Sequence, residues 1–169
     1  MGAEKSWSGM RKYLEEDMLA DSLKSRVRYS CTKFVGMDGG GLFRIYVDKK
    51  PVKDFSLETL AKYSYNLYDG KKPIDLSNYW QYWEYEEDNT PLNERVEFED
   101  AEFADALYQY RSNDIFDSLY DENPIVRMFA VLDRRVGKRT LSSLKDEVSE
   151  QPEWLAFFYK LRLEAENIH

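Results

Sequence analysis

An α+β fold is predicted from a change of hydrophobic period along the chain. Residues 26–55 alternate apolar and polar side chains between turn-forming clusters, whereas the C-terminal two-thirds repeat apolar residues at helical spacing. A third observation sets the centre: Ile125, Val126, Met128, Phe129, Ala130, Val131 and Leu132 leave no polar side to a helix. A helix of that kind must be wrapped by other elements. The expected architecture is a three-stranded antiparallel meander (about 26–55) packed with about seven helices, mostly C-terminal, around a buried helix at 124–136. At 169 residues the chain suits one globular domain, residues 1–169.

Ser6 reads as an N-cap, opening a helix to about Leu19 with Trp7, Met10, Leu14 and Met18 on one face and Glu15 on the polar side. Val27, Tyr29 and Cys31 share one face of the first strand, with Cys31 expected to be buried. Asp38-Gly39-Gly40-Gly41 turns the chain, and Phe43, Ile45 and Val47 share a face of the second strand. The glycines join two strands rather than a strand and a helix, and no Gly-Lys-Ser/Thr follows, so they read as a hairpin tip and not a phosphate loop. Asp48-Lys49-Lys50-Pro51 turns into an edge strand around Val52–Phe55, and Ser56 caps a helix carrying Leu57, Leu60, Ala61 and Tyr68 inward.

The stretch Leu76–Tyr85 is dense in rings and fits either a helix or a strand; Glu86–Asn93 reads as a polar, mobile connection. A helix from about Asp100 carries Phe103, Leu107 and Tyr110, and Asn113 caps a short one with Ile115, Phe116 and Leu119 apolar. Asn123 and Pro124 open the central helix. Gly137 is placed as its left-handed C-terminal residue, with Arg134 and Arg135 matching the helix dipole in the last turn. Thr140 caps a further short helix, and Gln151-Pro152-Glu153 starts the last one.

The landmarks Trp7-Ser8, the hairpin Arg26–Val47, Asn123-Pro124 through Leu132-Asp133-Arg134-Arg135-Val136-Gly137-Lys138-Arg139, and Phe158-Tyr159-Lys160-Leu161-Arg162-Leu163 resemble a family of small, uncharacterised bacterial proteins. The resemblance implies a bacterial, cytoplasmic origin and brings neither an activity nor site residues.

Composition narrows function more by exclusion. The single histidine is the last residue, His169, and the single cysteine is Cys31. Histidine-dependent catalysis and an internal disulfide are thereby disfavoured, and a reducing cytoplasm is the expected location. No apolar run approaches the roughly 20 residues that span a bilayer, so no membrane role is expected. No cofactor or metal motif is present. The net charge of −8 is concentrated: residues 84–105 hold ten acids against Arg95 alone.

The leading functional expectation is therefore a non-enzymatic cytoplasmic binding protein with an acidic, aromatic-rich face. Tyr79, Trp80, Tyr82, Trp83 and Tyr85 would supply contact area, and Glu86, Glu87 and Asp88 would steer a protein with a basic surface. An inhibitor or immunity-type protein is an analogy consistent with that chemistry. An alternative is a nucleic-acid or phospholigand binder through Arg134, Arg135, Lys138 and Arg139. Nucleic acid is disfavoured by a sequence pI near 4.8. The remaining alternative is an enzyme with an unrecognised carboxylate site.

Overall fold

The structure is a computed structural model that describes residues 6–33, 41–60 and 91–169. It contains a three-stranded antiparallel sheet in the order β1-β2-β3, with β1 at Val27–Lys33, β2 at Gly41–Val47 and β3 at Lys50–Ser56. The register pairs Val27 with Val47, Tyr29 with Ile45 and Cys31 with Phe43, so the apolar faces read from the sequence coincide. Asp48 and Lys49 both have positive φ, 51° and 69°, which makes the β2–β3 connection a two-residue turn matched to strand twist. A bulge follows, since Ile45 pairs with Lys53 but Tyr46 with Pro51. Lys53 thereby faces the core side beside Phe55.

The helices are α1 (Trp7–Lys12), α2 (Asp100–Ser112), α3 (Ile115–Leu119), α4 (Pro124–Val131), α5 (Lys138–Leu144) and α6 (Glu153–Ala165). The Ser6 hydroxyl caps α1 by accepting from the Gly9 amide at 3.3 Å. The helix continues as a π-helical turn over Tyr13–Asp17. That wider turn rotates Glu15 inward, so the expected polar-face residue is buried, with its Oε1 accepting from Arg28 at 3.1 Å. Ser56 caps a helical turn at residues 57–60, where Leu57 and Leu60 are buried as expected. Ala61, Tyr68 and the Leu76–Tyr85 stretch lie outside the described residues.

Phe103 of α2 is the hub between sheet and helices. Its ring stacks on Phe43 at 4.4 Å and meets Phe55 at 4.9 Å and Phe129 of α4 at 5.4 Å. Helix α4 is surrounded by α2, α3 and α6, and all eight of its residues are buried. The all-apolar pattern required this, because no face of α4 could meet water without cost.

The extent of that helix is a correction. It ends at Val131 rather than 136, because the chain then turns to bond the N-terminal segment: Ala20 N to Leu132 O at 2.9 Å and Arg134 N to Met18 O at 2.8 Å. Arg134 and Arg135 therefore lie beyond the helix. Gly137 has φ −80°, not a left-handed value, and is the N-cap of α5, which starts before Thr140. Asp114, not Asn113, caps α3, its carboxylate accepting from Phe116 N at 2.8 Å. Cys31 is half-buried rather than buried.

A direct check follows from Gly137, where an added Cβ would meet nothing within 4 Å. Gly137→Asp places a capping carboxylate at the start of α5 and raises unfolding stability by about 0.5–1 kcal/mol in a denaturant titration. A left-handed glycine there would instead make the same change cost about 1 kcal/mol.

Candidate functional site

The aromatic–acidic stretch Tyr79, Trp80, Tyr82, Trp83, Tyr85, Glu86, Glu87 and Asp88 lies outside the described residues. The rest of the acidic segment divides in two. Glu97 and Glu102 turn inward: Lys53 Nζ meets Glu97 Oε2 at 3.1 Å, and Arg95 Nη2 meets both oxygens of Glu102 at 3.0 and 3.1 Å. Asp100 lies over Gly41, where an added Cβ would come within 2.5 Å of its Oδ2, so a larger residue there would displace the Asp100 carboxylate. Glu94 and Asp105 remain exposed.

The Lys53–Glu97 pair joins β3 to the segment ahead of α2. Lys53 Nζ also donates to Val96 O at 2.5 Å and lies 5.3 Å from the Trp154 ring. Burial pulls the ammonium below its ordinary pKa of 10.5, opposed by the Glu97 carboxylate. Burial likewise raises the Glu97 pKa, opposed by Lys53. In both shifts desolvation outweighs the attraction of the partner charge, the balance expected of an ion pair taken out of water.

The basic cluster is dispersed. Arg135 is committed to buried Asp133, its Nη2 2.8 Å from Oδ2, and Tyr110 donates to the same carboxylate. Bonding to Asp133 raises the Arg135 pKa, and burial raises that of Tyr110. Arg134, Lys138 and Arg139 are exposed and form no ion pair among the described residues. No group of three or more His, Cys, Asp or Glu side chains among the described residues is placed to hold a metal ion.

A groove of about 640 Å³ opens where three segments meet. Pro91, Leu92 and Asn93 form one wall, Leu119, Tyr120, Asp121 and Glu122 a second, and Glu147, Glu150 and Gln151 a third. Arg127 of α4 lies beneath and ties the second wall to the third. Its Nη1 donates to the carbonyls of Asp121 (2.7 Å) and Glu122 (3.1 Å), and its Nη2 to Gln151 Oε1 (3.2 Å). Asp121 is also structural: it accepts from Asn123 N at 2.8 Å and Gln109 Nε2 at 2.7 Å. Glu122, Glu147 and Glu150 are left without a cation among the described residues.

Aromatic side chains accompany these acids in the open. Tyr108 is 64% exposed, Phe116 59% and Tyr120 58%. Phe116 and Tyr120 are four residues apart around α3, and the Gln109–Asp121 bond brings α2 beside the end of that helix. The sequence marks Phe116 only as apolar, grouped with Ile115 and Leu119. Its neighbours Asp114 and Asp117 were the available signal, since a five-residue helix bearing both carries a wet side.

Removing one partner of the Lys53–Glu97 pair strands a buried charge. Glu97→Ala costs about 3 kcal/mol in chemical unfolding, whereas Lys53→Met/Glu97→Gln together cost much less than the two single changes summed. With Lys53 lowered when folded and 10.5 as its ordinary value, the unfolded chain holds a proton that the folded one has released. The Lys53 contribution to stability therefore rises with pH just below 10.5, and Lys53→Met loses that contribution, which the difference between wild-type and variant thermal unfolding across this window reads out.

Among known proteins, no curated protein and no solved structure matches the chain. Residues 6–163, from the N-cap of α1 into α6, match the SF0329 protein family, and the chain belongs to that family.

Proposed function

We propose that this protein is a non-enzymatic, cytoplasmic binding protein whose acidic, aromatic-rich face receives a protein with a basic surface. The observation that carries the reading is the exposure of Tyr108, Phe116 and Tyr120 beside Asp114, Asp117 and Glu122. Large rings left in water forfeit roughly 25 cal/mol per Å² of apolar surface. Such surface is regained when a partner covers it, and aromatic anchors dominate interface energetics. Carboxylates around the rings raise the rate of encounter with a cationic partner and disfavour nucleic acid.

The sequence extends the same chemistry upstream, since Tyr79–Asp88 combine rings and acids and end three residues before Pro91. An inhibitor or immunity-type role accords with this chemistry: an acidic face can occlude a basic active surface without performing a reaction.

Affinity capture from the source organism, followed by titration of the captured protein, tests the reading. Asp114→Lys/Asp117→Lys weakens binding by more than about tenfold and flattens its salt dependence, and Phe116→Ala weakens it by about tenfold. A captured partner indifferent to both variants contradicts the assignment. So does an oligonucleotide complex abolished by Arg134→Glu/Lys138→Glu/Arg139→Glu, which would place function on the basic cluster instead.

A further inference from the structure

Two walls of the groove are fixed to each other and the third is not. Arg127 joins Asp121 and Glu122 to Gln151 through its two Nη atoms. Among the described residues, no hydrogen bond or ion pair joins Pro91, Leu92 or Asn93 to either of those walls. The backbone bonds of that wall stay inside its own three-ten turn: Glu94 N donates to Pro91 O at 2.8 Å and Arg95 N to Leu92 O at 3.3 Å. All four residues from Pro91 to Glu94 are exposed.

The residues that follow are held from several directions. Trp154 Nε1 of α6 donates to Arg95 O at 3.0 Å, and Lys53 Nζ of β3 donates to Val96 O at 2.5 Å. Arg95 Nη2 reaches Glu102 of α2 at 3.0 Å, and Ser56 N donates to Phe98 O at 3.0 Å. Phe98 itself is fully buried. Arg95 is the junction, since its amide belongs to the turn while its carbonyl and side chain belong to the pinned segment. Rotation about its N–Cα bond swings the turn and leaves every one of these bonds in place. Hinges are built this way, with a single backbone position absorbing the change.

Two side chains determine what the rotation accomplishes. Leu92 is 38% exposed and Tyr120 58% exposed, and both line the same gap of about 640 Å³. Closing the turn across that gap withdraws apolar surface of both from water. Pro91 has its φ fixed by the ring, at −50°, so the turn has little freedom to lose on closing.

We propose that Pro91–Glu94 is a flap hinged at Arg95 that closes over the groove, seats Leu92 on Tyr120, and must open before a partner reaches that ring. The structure, with Tyr120 more than half exposed, is the open form. Phe116 and Tyr108 do not line the groove and stay uncovered in both forms. The gating half of this proposal rests on the reading above that Tyr120 belongs to the partner's surface, whereas the closure does not. Gating of this kind lowers the apparent affinity by the fraction of molecules whose flap is open.

Closure is tested without a partner, by fluorine-19 NMR of the full chain carrying meta-fluorotyrosine at position 120 alone. The shift between water and deuterium oxide measures how far that ring is wet. It is about threefold smaller in wild type than in Leu92→Asn, as for a flap closed about two-thirds of the time. The amide of asparagine resists burial on a ring, and its neutrality leaves the steering of a basic partner unchanged. Position 92 is on the surface, and circular dichroism confirms that the variant is folded. Leu92→Asn then binds a captured partner about threefold more tightly than wild type, because both measurements read the same open fraction.

Equal solvent shifts in wild type and Leu92→Asn overturn the flap, whatever any partner does. A wild-type shift that falls as protein concentration rises also overturns it, because a second copy then covers the ring. With the solvent shifts as expected, a partner bound equally or more weakly by Leu92→Asn overturns the gate, the weaker case placing Leu92 in the partner's seat. A partner indifferent to Phe116→Ala and to Asp114→Lys/Asp117→Lys removes the gate together with the reading it rests on, and the solvent shifts still decide the closure.

Discussion

The guanidinium of Arg162 is the contact on which the fold closes. Its Nη1 donates to the carbonyls of Val131 (3.1 Å) and Asp133 (2.7 Å), and its Nη2 to that of Val136 (2.9 Å). The last carbonyls of any α-helix lack intrahelical partners, and here Val131, which ends α4, and Asp133 and Val136 just beyond it are all buried. Arg162 is 3% exposed and arrives from α6 to satisfy them as a charge-assisted donor. Its own desolvation, which pulls its pKa down, is offset in part by Glu166, 3.1 Å from Nε. Glu166 in turn accepts from Ser22 at 2.8 Å, so one arginine links α4, α6 and the N-terminal segment.

Once the chain leaves α4 on these terms, the remaining polar geometry follows. The exit backbone bonds Met18 and Ala20, and Asp133 is turned inward at 1% exposure. It must then be matched, and Tyr110 together with the Arg135 backbone and side chain do so. At the other end of α4, Arg127 performs the corresponding task for the loop carbonyls of Asp121 and Glu122. One buried helix thus has two buried arginines with separate consequences: Arg162 closes the core, and Arg127 shapes the groove.

How much of this was legible follows the range of the interactions involved. Strand faces and the inward sides of α2 and α6 came from local periodicity, which Val27, Tyr29, Ile45, Phe103 and Phe158 obey. The length of α4 did not, because its end is decided by Arg162, 31 residues beyond Val131, and by Met18, more than a hundred before. Charge at Arg134 and Arg135 suggested the dipole partner, yet the cation that meets the helix end is remote in sequence. A signal existed: Arg162 follows Leu155 by seven and Phe158 by four, an inward position where a charge needs a reason. Lys53, two residues before Phe55 on a strand, gave a similar hint. Glu15 gave none, since only the π turn carries it inward. The groove drew on three distant segments and left no local pattern.

The candidate surface is defined by groups the fold does not use. Asp121, Glu97 and Glu102 are acids with internal partners, whereas Glu122, Glu147 and Glu150 have none among the described residues. The same division separates Phe103 and Phe129, which build the core, from Phe116, which does not. The proposed function rests on this unused chemistry, whose presentation depends on a scaffold held at both ends of α4.

Equilibrium unfolding of Arg162→Met, combined with amide hydrogen exchange, tests that dependence most directly. The account predicts a loss of about 3–5 kcal/mol as buried carbonyls are stranded, with exchange protection falling first at the Arg134 and Ala20 amides that bond across the α4 exit. A variant within about 0.5 kcal/mol of wild type, with those amides still protected, would show that the exit of α4 is held by something other than this arginine.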